Sequence, residues 1–195
     1  METEKGGTNE LYRGLPEDRE EVKKIVENPS MANAYTSFST TATPTASYQY
    51  VIVTSDSLES AFQPLVEHKS HFISATIVNL SYVNTFSGAD LQEKIRNFII
   101  YAYQNWGTTY VLLGGDDDVI PHRGFYGYVS TYPDPTIDHD IPADIYYACL
   151  DGTWNDDGDS DWGEIGDGVD LYPDVYVGRL PANTGVQCTT AICKV

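Results

Sequence analysis

The residues with the most specific chemistry lie in Asn155-Asp-Asp-Gly-Asp-Ser-Asp-Trp-Gly-Glu164. Oxygen-bearing side chains alternate at Asn155, Asp157, Asp159 and Asp161, and Glu164 follows. Hard cations such as Ca²⁺ take roughly six to eight oxygens, and alternating carboxylates in a tight loop can converge on one ion. Asp151 stands just ahead as a further ligand. The loop is not an EF-hand, because Ser160 replaces the sixth-position Gly and Gly166 the twelfth-position Glu. Mg²⁺ fits less well, since it prefers few carboxylates and keeps its waters. The plainer alternative is a solvated acidic loop that binds nothing. The spacing predicts a Ca²⁺ site built from Asp151, Asn155, Asp157, Asp159, Asp161 and Glu164.

A second acidic group, Asp116-Asp-Asp118, closes the apolar run Tyr110-Val-Leu-Leu-Gly-Gly115. Carboxylates just past a buried strand can orient a substrate or a catalytic neighbour. The plainer reading has Asp116 closing the turn through an Asx bond while Asp117 and Asp118 face water. The stretch is no phosphate cradle, since its carboxylates would repel the anion and no Lys follows. A cysteine nucleophile needs a nearby base, and the chain offers Cys149, Cys188 and Cys193 with His68, His71, His122 and His139. Cys149 sits in an apolar run, where a free thiol is usually inert core. A hydrolase complete in this chain would use Cys149, in a dyad with His139 or His122, or the Asp116 cluster. There is no Gly-x-Ser-x-Gly elbow for a serine nucleophile.

Bulk properties narrow the partners. The net charge of −18 argues against nucleic acid and against anionic membranes. Nine carboxylates and no Lys or Arg occupy 151–174. That density is costly unless a cation or full solvation relieves it. No apolar stretch approaches the ~20 residues of a membrane span, and the three cysteines show neither a zinc spacing nor a disulfide framework.

These residues must be held by a scaffold, and periodicity describes one. Residues 1–47 read as peripheral, with a short helix over 16–26 and a Ser/Thr/Pro-rich linker over 37–47. The domain proper is expected over 48–195. Tyr48–Thr54 and Phe72–Leu80 read as strands. Between them Leu58, Ala61, Phe62, Leu65 and Val66 make a helical stripe, capped by Ser55 or Asp56 and interrupted at Pro64. Ser87-Gly-Ala-Asp90 has capping-box spacing ahead of a helix carrying Leu91, Ile95, Phe98, Ile99, Ala102 and Trp106, ended by Gly107. Tyr110–Gly114 is the third strand. Strand, helix, strand, helix, strand is the signature of a parallel sheet with right-handed crossovers. A three-layer α/β fold follows, Rossmann-like, with helices on both faces and Tyr110–Gly114 central. Beyond Pro121, residues 122–139 show no period and read as a surface excursion. Ala143–Leu150 and Asp174–Leu180 are further strand candidates, and 184–195 reads as a helix.

Several motifs in order then resemble the gingipain-like cysteine peptidases. Tyr110-Val-Leu-Leu-Gly-Gly-Asp116 with Ile120-Pro121 resembles that family's hallmark strand. Pro142-Ala-Asp-Ile-Tyr-Tyr147 with Leu150-Asp-Gly152 is similar to its next element, and Asp170–Pro181 to its Gly-Arg-x-Pro segment. Tyr50–Thr54 and Gln63-Pro64-Leu65 fit its first strand and helix. The resemblance, from about Tyr48 to the last residue, implies a caspase-like fold of two subdomains, a secreted or surface-displayed protein, bound calcium and a protein or peptide substrate. It also implies a catalytic His–Cys pair placed after the Gly-Arg-x-Pro segment. Fourteen residues follow Pro181 and none matches either member. The expectation is therefore an N-terminal subdomain whose catalytic partner is a C-terminal subdomain, with Asp116 framing the site. The competing expectation is a non-catalytic, calcium-stabilised extracellular binding or adhesion module.

Overall fold

The computed structural model describes residues 47–194 together with Glu20, Lys23, Lys24 and Pro29. The helix expected over 16–26 and the linker expected over 37–47 lie almost wholly outside those residues. The chain divides into two units between Thr45 and Ala46, and the second, Ala46–Val195, holds the sheet.

In chain order this unit runs β1 (Tyr50–Thr54), α1 (Glu59–Lys69), β2 (Ala75–Asn79), α2 (Leu80–Val83), α3 (Leu91–Trp106) and β3 (Tyr110–Gly114). It continues through β4 (Arg123–Val129), β5 (Thr136–Ala143), α4 (Ile145–Ala148), β6 (Tyr176–Leu180) and α5 (Gly185–Ile192). Four strands pair in the order β2-β1-β3-β6, every pair parallel. Register places Thr54 beside Asn79 and Gly114, and Gly114 beside Leu180, so these residues mark one carboxyl edge. The crossover from β1 to β2 runs one way across the sheet and that from β2 to β3 the other. With right-handed connections this puts α1 and α3 on opposite faces.

The α1 face is closed by Ile52, Leu58, Phe62, Leu65, Ala182 and Cys188, which join β1, α1 and α5. Alternation turns Val51, Val53, Val111 and Leu113 to the other face, all buried. There α3 contributes buried Ile95, Phe98, Ile99 and Ala102 from its apolar stripe. Gly107 ends α3 in the left-handed conformation, φ 73°. Gly114 is required by packing, because a Cβ there would come within 2.7 Å of the Phe62 ring.

The α/β architecture, the helix over 91–106 and the closing helix agree with the periodicity. Several local expectations do not. The capping box of α3 is shifted by three residues: Asp90 accepts from the Glu93 N–H at 2.8 Å, and Glu93 reaches back to the Ala89 N–H. Pro64 does not restart α1, which runs through it from Glu59 to Lys69. β2 is shorter than Phe72–Leu80, since Phe72 and Ile73 close the turn after α1 onto the Lys69 carbonyl and Leu80 opens α2. Residues 122–139 are not a bare excursion but most of an antiparallel hairpin, β4 with β5. The strand expected over 143–150 is instead the end of β5 and one helical turn, α4, which buries Tyr146 and Tyr147 together.

Candidate functional site

Just past β3 the chain makes the turn that the acidic triplet announced. Gly115 N–H donates to the Leu180 carbonyl at 3.0 Å, and Asp116 N–H to that of Ala182 at 3.3 Å. The Asp116 carbonyl accepts from Val119 and Ile120, and its side chain accepts from the Asp117 N–H at 2.9 Å. The Asp116 side chain thus bonds the N–H of the next residue rather than the one after it, so the expected Asx turn is not formed, and it is the Asp116 backbone that ties the turn to the segment after β6. Asp117 does not simply face water. It holds His122, whose Nδ1 lies 2.5 Å away and whose Nε2 lies 3.1 Å from Asp140 on β5.

The turn is locked from beneath by Arg179 of β6. Its guanidinium forms a two-pronged pair with Asp144, both contacts 2.7 Å, and donates to the carbonyls of Gly115 at 3.0 Å and Ile120 at 2.5 Å. Tyr147 adds a hydroxyl bond to the Pro121 carbonyl at 2.5 Å. The two motifs Pro142-Ala-Asp144 and Gly178-Arg179 thus meet each other across the turn. Sequence reading found both motifs but not their contact. The usable signal was an Arg at an inward-alternating position of a strand, which demands an acid partner.

A second cluster surrounds α4. Arg96 of α3 is buried and donates to the carbonyls of Cys149, Asp151 and Gly152. Asp174 accepts from the Leu150 N–H at 2.7 Å. Burial, together with the charges of Asp151 and Asp170, pushes its carboxyl up to about 6 despite that bond. Burial first, then Asp170 and Asp174, pushes the Cys149 thiol up to about 12. The groups acting on this thiol are carboxylates and Arg96, not an imidazole. His122 is engaged with Asp117 and Asp140, and His139 with Asp161 at 2.8 Å. Neither histidine pairs with Cys149, and this thiol is not activated. Cys188 is buried and Cys193 exposed.

The acidic loop is fastened at its ends and open in the middle. Trp154, fully buried at φ 65°, stacks on Phe125 of β4 with ring centroids 4.9 Å apart. Its carbonyl accepts from Gly163 at 3.0 Å, while the Trp162 carbonyl accepts from Tyr126 at 2.8 Å. Between these anchors Asn155, Asp157 and Asp159 accept from the N–H groups of Gly158, Asp159 and Asp161. One oxygen each of Asp157, Asp159 and Glu164 gather within 4.8 Å of one another. Asp161 is turned to His139, and Asn155 is engaged within its own turn through both its side-chain oxygen and its amide. Asp151 lies in the other cluster, beside Arg96 and Asp170. So three of the six expected ligands come together. Their donor set is hard oxygen only, which suits Ca²⁺. Glu164 is raised by desolvation and by the charges of Asp159, Asp161, Asp167 and Asp157. Against this loop lies a cavity of about 720 Å³ walled by Tyr126, Tyr128 and Ile165 and edged by Asp156, Asp157, Glu164 and Asp167.

Sheet order, opposed crossovers and loops gathered at the carboxyl edge define an open, doubly wound α/β domain. Residues 43–195 match the model of peptidase family C25, and the chain belongs to that family, the gingipain family. No curated protein matches the sequence. Among solved structures, one described as "Structure of Protease" is similar with TM-score 0.49 at 18% identity, over 78% of this chain and 28% of that one. The dimeric latent PorU from Porphyromonas gingivalis gives TM-score 0.46 at 20% identity, over 75% of this chain. This chain spans 15% of the PorU chain. Among the described residues, no helix is long and apolar enough to cross a membrane.

Proposed function

We propose that this domain is the N-terminal, structural half of a gingipain-like cysteine endopeptidase. Its role is to support a catalytic His–Cys pair carried by a C-terminal subdomain that acts on protein or peptide substrates. The observation that carries the reading is the state of the carboxyl edge. Arg179 locks the turn after β3 into a fixed frame, while β6 beside it is an edge strand, paired by β3 on one side only among the described residues. A rigid turn next to a free strand edge is a surface onto which a second α/β half can be built. The raised Cys149 thiol supports the same division of labour. Secretion or surface display follows from the family reading.

We further propose that Asp157, Asp159 and Glu164 hold Ca²⁺, with Asn155 and Asp161 shaping the loop around them. The ion would neutralise like charges crowded on one loop and stiffen the connection between α4 and β6. Asp151 serves the neighbouring carboxylate cluster instead.

The test is peptidase activity on a fluorogenic peptide series, measured for this chain and for the complete product of its reading frame. Activity confined to the complete product, and lost when its downstream cysteine is replaced, supports the proposal. Cleavage by this chain alone would overturn it. The second reading, a calcium-stabilised binding or adhesion module, is favoured by the tyrosine-walled cavity beside the acidic loop. It takes precedence if the complete product has no peptidase activity.

A further inference from the structure

His122 stands where the turn after β3 passes into β4, and it touches both sides of that passage. Its backbone N–H donates to Asp117 Oδ1 at 2.8 Å, and its Nδ1 lies 2.5 Å from the same oxygen. Its Nε2 lies 3.1 Å from Asp140 Oδ1 on β5. The imidazole is 19% exposed, so its contacts are sheltered but within reach of solvent protons. A neutral imidazole has one N–H and one lone pair, so it can donate to only one of these carboxylates and must turn its lone pair on the other. The imidazolium donates to both.

We infer that His122 is a pH-operated latch. Protonated, it fastens the β4–β5 hairpin to the turn Asp116–Pro121; neutral, it lets go of one side. Among the described residues, no other cation does this work. Arg179 acts on Asp117 but spends its donors on Asp144 and two carbonyls. Arg123, next in the chain, turns its guanidinium to Asp90, the N-cap of α3, and stacks over Trp162. From α3, Gln92 donates to the His122 carbonyl. On β5, Asp138 accepts from the Asp140 N–H. Burial of the ring opposes protonation, but hydrogen bonds and charge from Asp140 and Asp117 outweigh it and hold the imidazole above its ordinary value. The latch is therefore fully closed below about pH 6.5 and opens as pH rises through the raised folded-state value.

What the latch holds gives it a consequence. The hairpin carries Tyr126 and Tyr128, two walls of the 720 Å³ cavity, and His139, which reaches the acidic loop at Asp161. Its base is fixed by the Arg123–Asp90 pair, so release at His122 frees the β5 side first. The pH-dependent motion is that of the cavity wall, with the parallel sheet untouched.

Hydrogen exchange of the full chain between pH 5.5 and 8.5, corrected for intrinsic rates, tests this. Amides of β4 and β5 should lose roughly three- to tenfold protection across the titration, the scale of a partly sheltered ion pair. Those of β1 and β3 should keep theirs. His122→Gln, which keeps His139, should give hairpin protection that does not change with pH. A flat wild-type profile, or an unchanged fall in His122→Gln, would overturn the latch. Imidazole NMR of the wild type is an independent check that needs no variant. A His122 titration point at or below its ordinary value would also overturn it, and Asp140→Asn should lower that point.

Discussion

Arg179 and Asp144, 35 positions apart, form a two-pronged ion pair with both contacts at 2.7 Å, and the same guanidinium holds the carbonyls of Gly115 and Ile120. One side chain on β6 thereby ties together α4's entry, the end of β3 and the turn that frames the carboxyl edge. The fork geometry is what allows it, because a planar guanidinium reaches a carboxylate and carbonyls in one plane, which an ammonium cannot.

Arg179→Lys should therefore cost more than a charge-conserving change normally does, on the order of 2–4 kcal/mol, since it leaves sheltered acceptors without donors. Urea unfolding followed by far-UV circular dichroism measures it. A loss below about 0.5 kcal/mol would show that the turn stands without the fork.

Calcium should raise the melting temperature, by several degrees at saturating ion, and chelator should lower it. Asp157→Asn combined with Asp159→Asn should abolish the response, whereas Asp151→Asn should preserve it. Differential scanning fluorimetry with Ca²⁺ and EDTA makes the comparison. No shift with either reagent in the wild type removes the metal proposal.

Asp174 sets a pH dependence of its own. Its folded-state value, pushed up to about 6, lies above the unfolded carboxyl near 4, so the ionised form is the disfavoured one in the folded protein. The folded state takes up the proton first, and this group's destabilisation is relieved as pH falls from about 6.5 to 4. Asp174→Asn keeps an acceptor for the Leu150 N–H. It should stabilise the protein by about 1–2 kcal/mol at pH 7.5, after solvent screening is allowed for, and have little effect at pH 4.5. Urea midpoints at the two pH values decide it; an equal effect at both would mean Asp174 is not strained by charge.

The three thiols should separate by reactivity. Cys193 is exposed, whereas Cys188 is buried and Cys149 is both buried and pushed up to about 12. Iodoacetamide at pH 7.5 should modify Cys193 in the native protein and reach the other two only on unfolding. Peptide mapping by mass spectrometry reads the order. Rapid labelling of Cys149, lost in His139→Ala, would make this chain a hydrolase by itself.

The parallel core was legible because its signal is local. Apolar runs of strand length alternate with helical stripes such as Ile95, Phe98, Ile99 and Ala102, and Gly107 stops α3 where a left-handed residue is needed. Family motifs were legible for the same reason, each being a short contiguous segment. Residues 122–150 were not. Gly, Pro and Tyr leave the hairpin no period to read, and the aromatic run Ile145-Tyr-Tyr147 has strand propensity but is wound into a helical turn so that both rings are buried.

The oxygen-rich loop at 155–164 was visible as a composition and a spacing. Which of its oxygens meet was not. Asp151, close in sequence, lies beside Arg96 and is raised by burial and by the like charge of Asp170, while Asp161 is taken by His139 from 22 positions away. The sequence by itself determined the order of strands and helices in the parallel core and the presence of an acidic loop, because both follow from periods and spacings of a few residues. The tertiary structure decided that Arg179 meets Asp144, that His122 lies between Asp117 and Asp140, and that Asp157, Asp159 and Glu164 converge. Those contacts depend on the path the chain takes between distant residues, and no local pattern encodes that path.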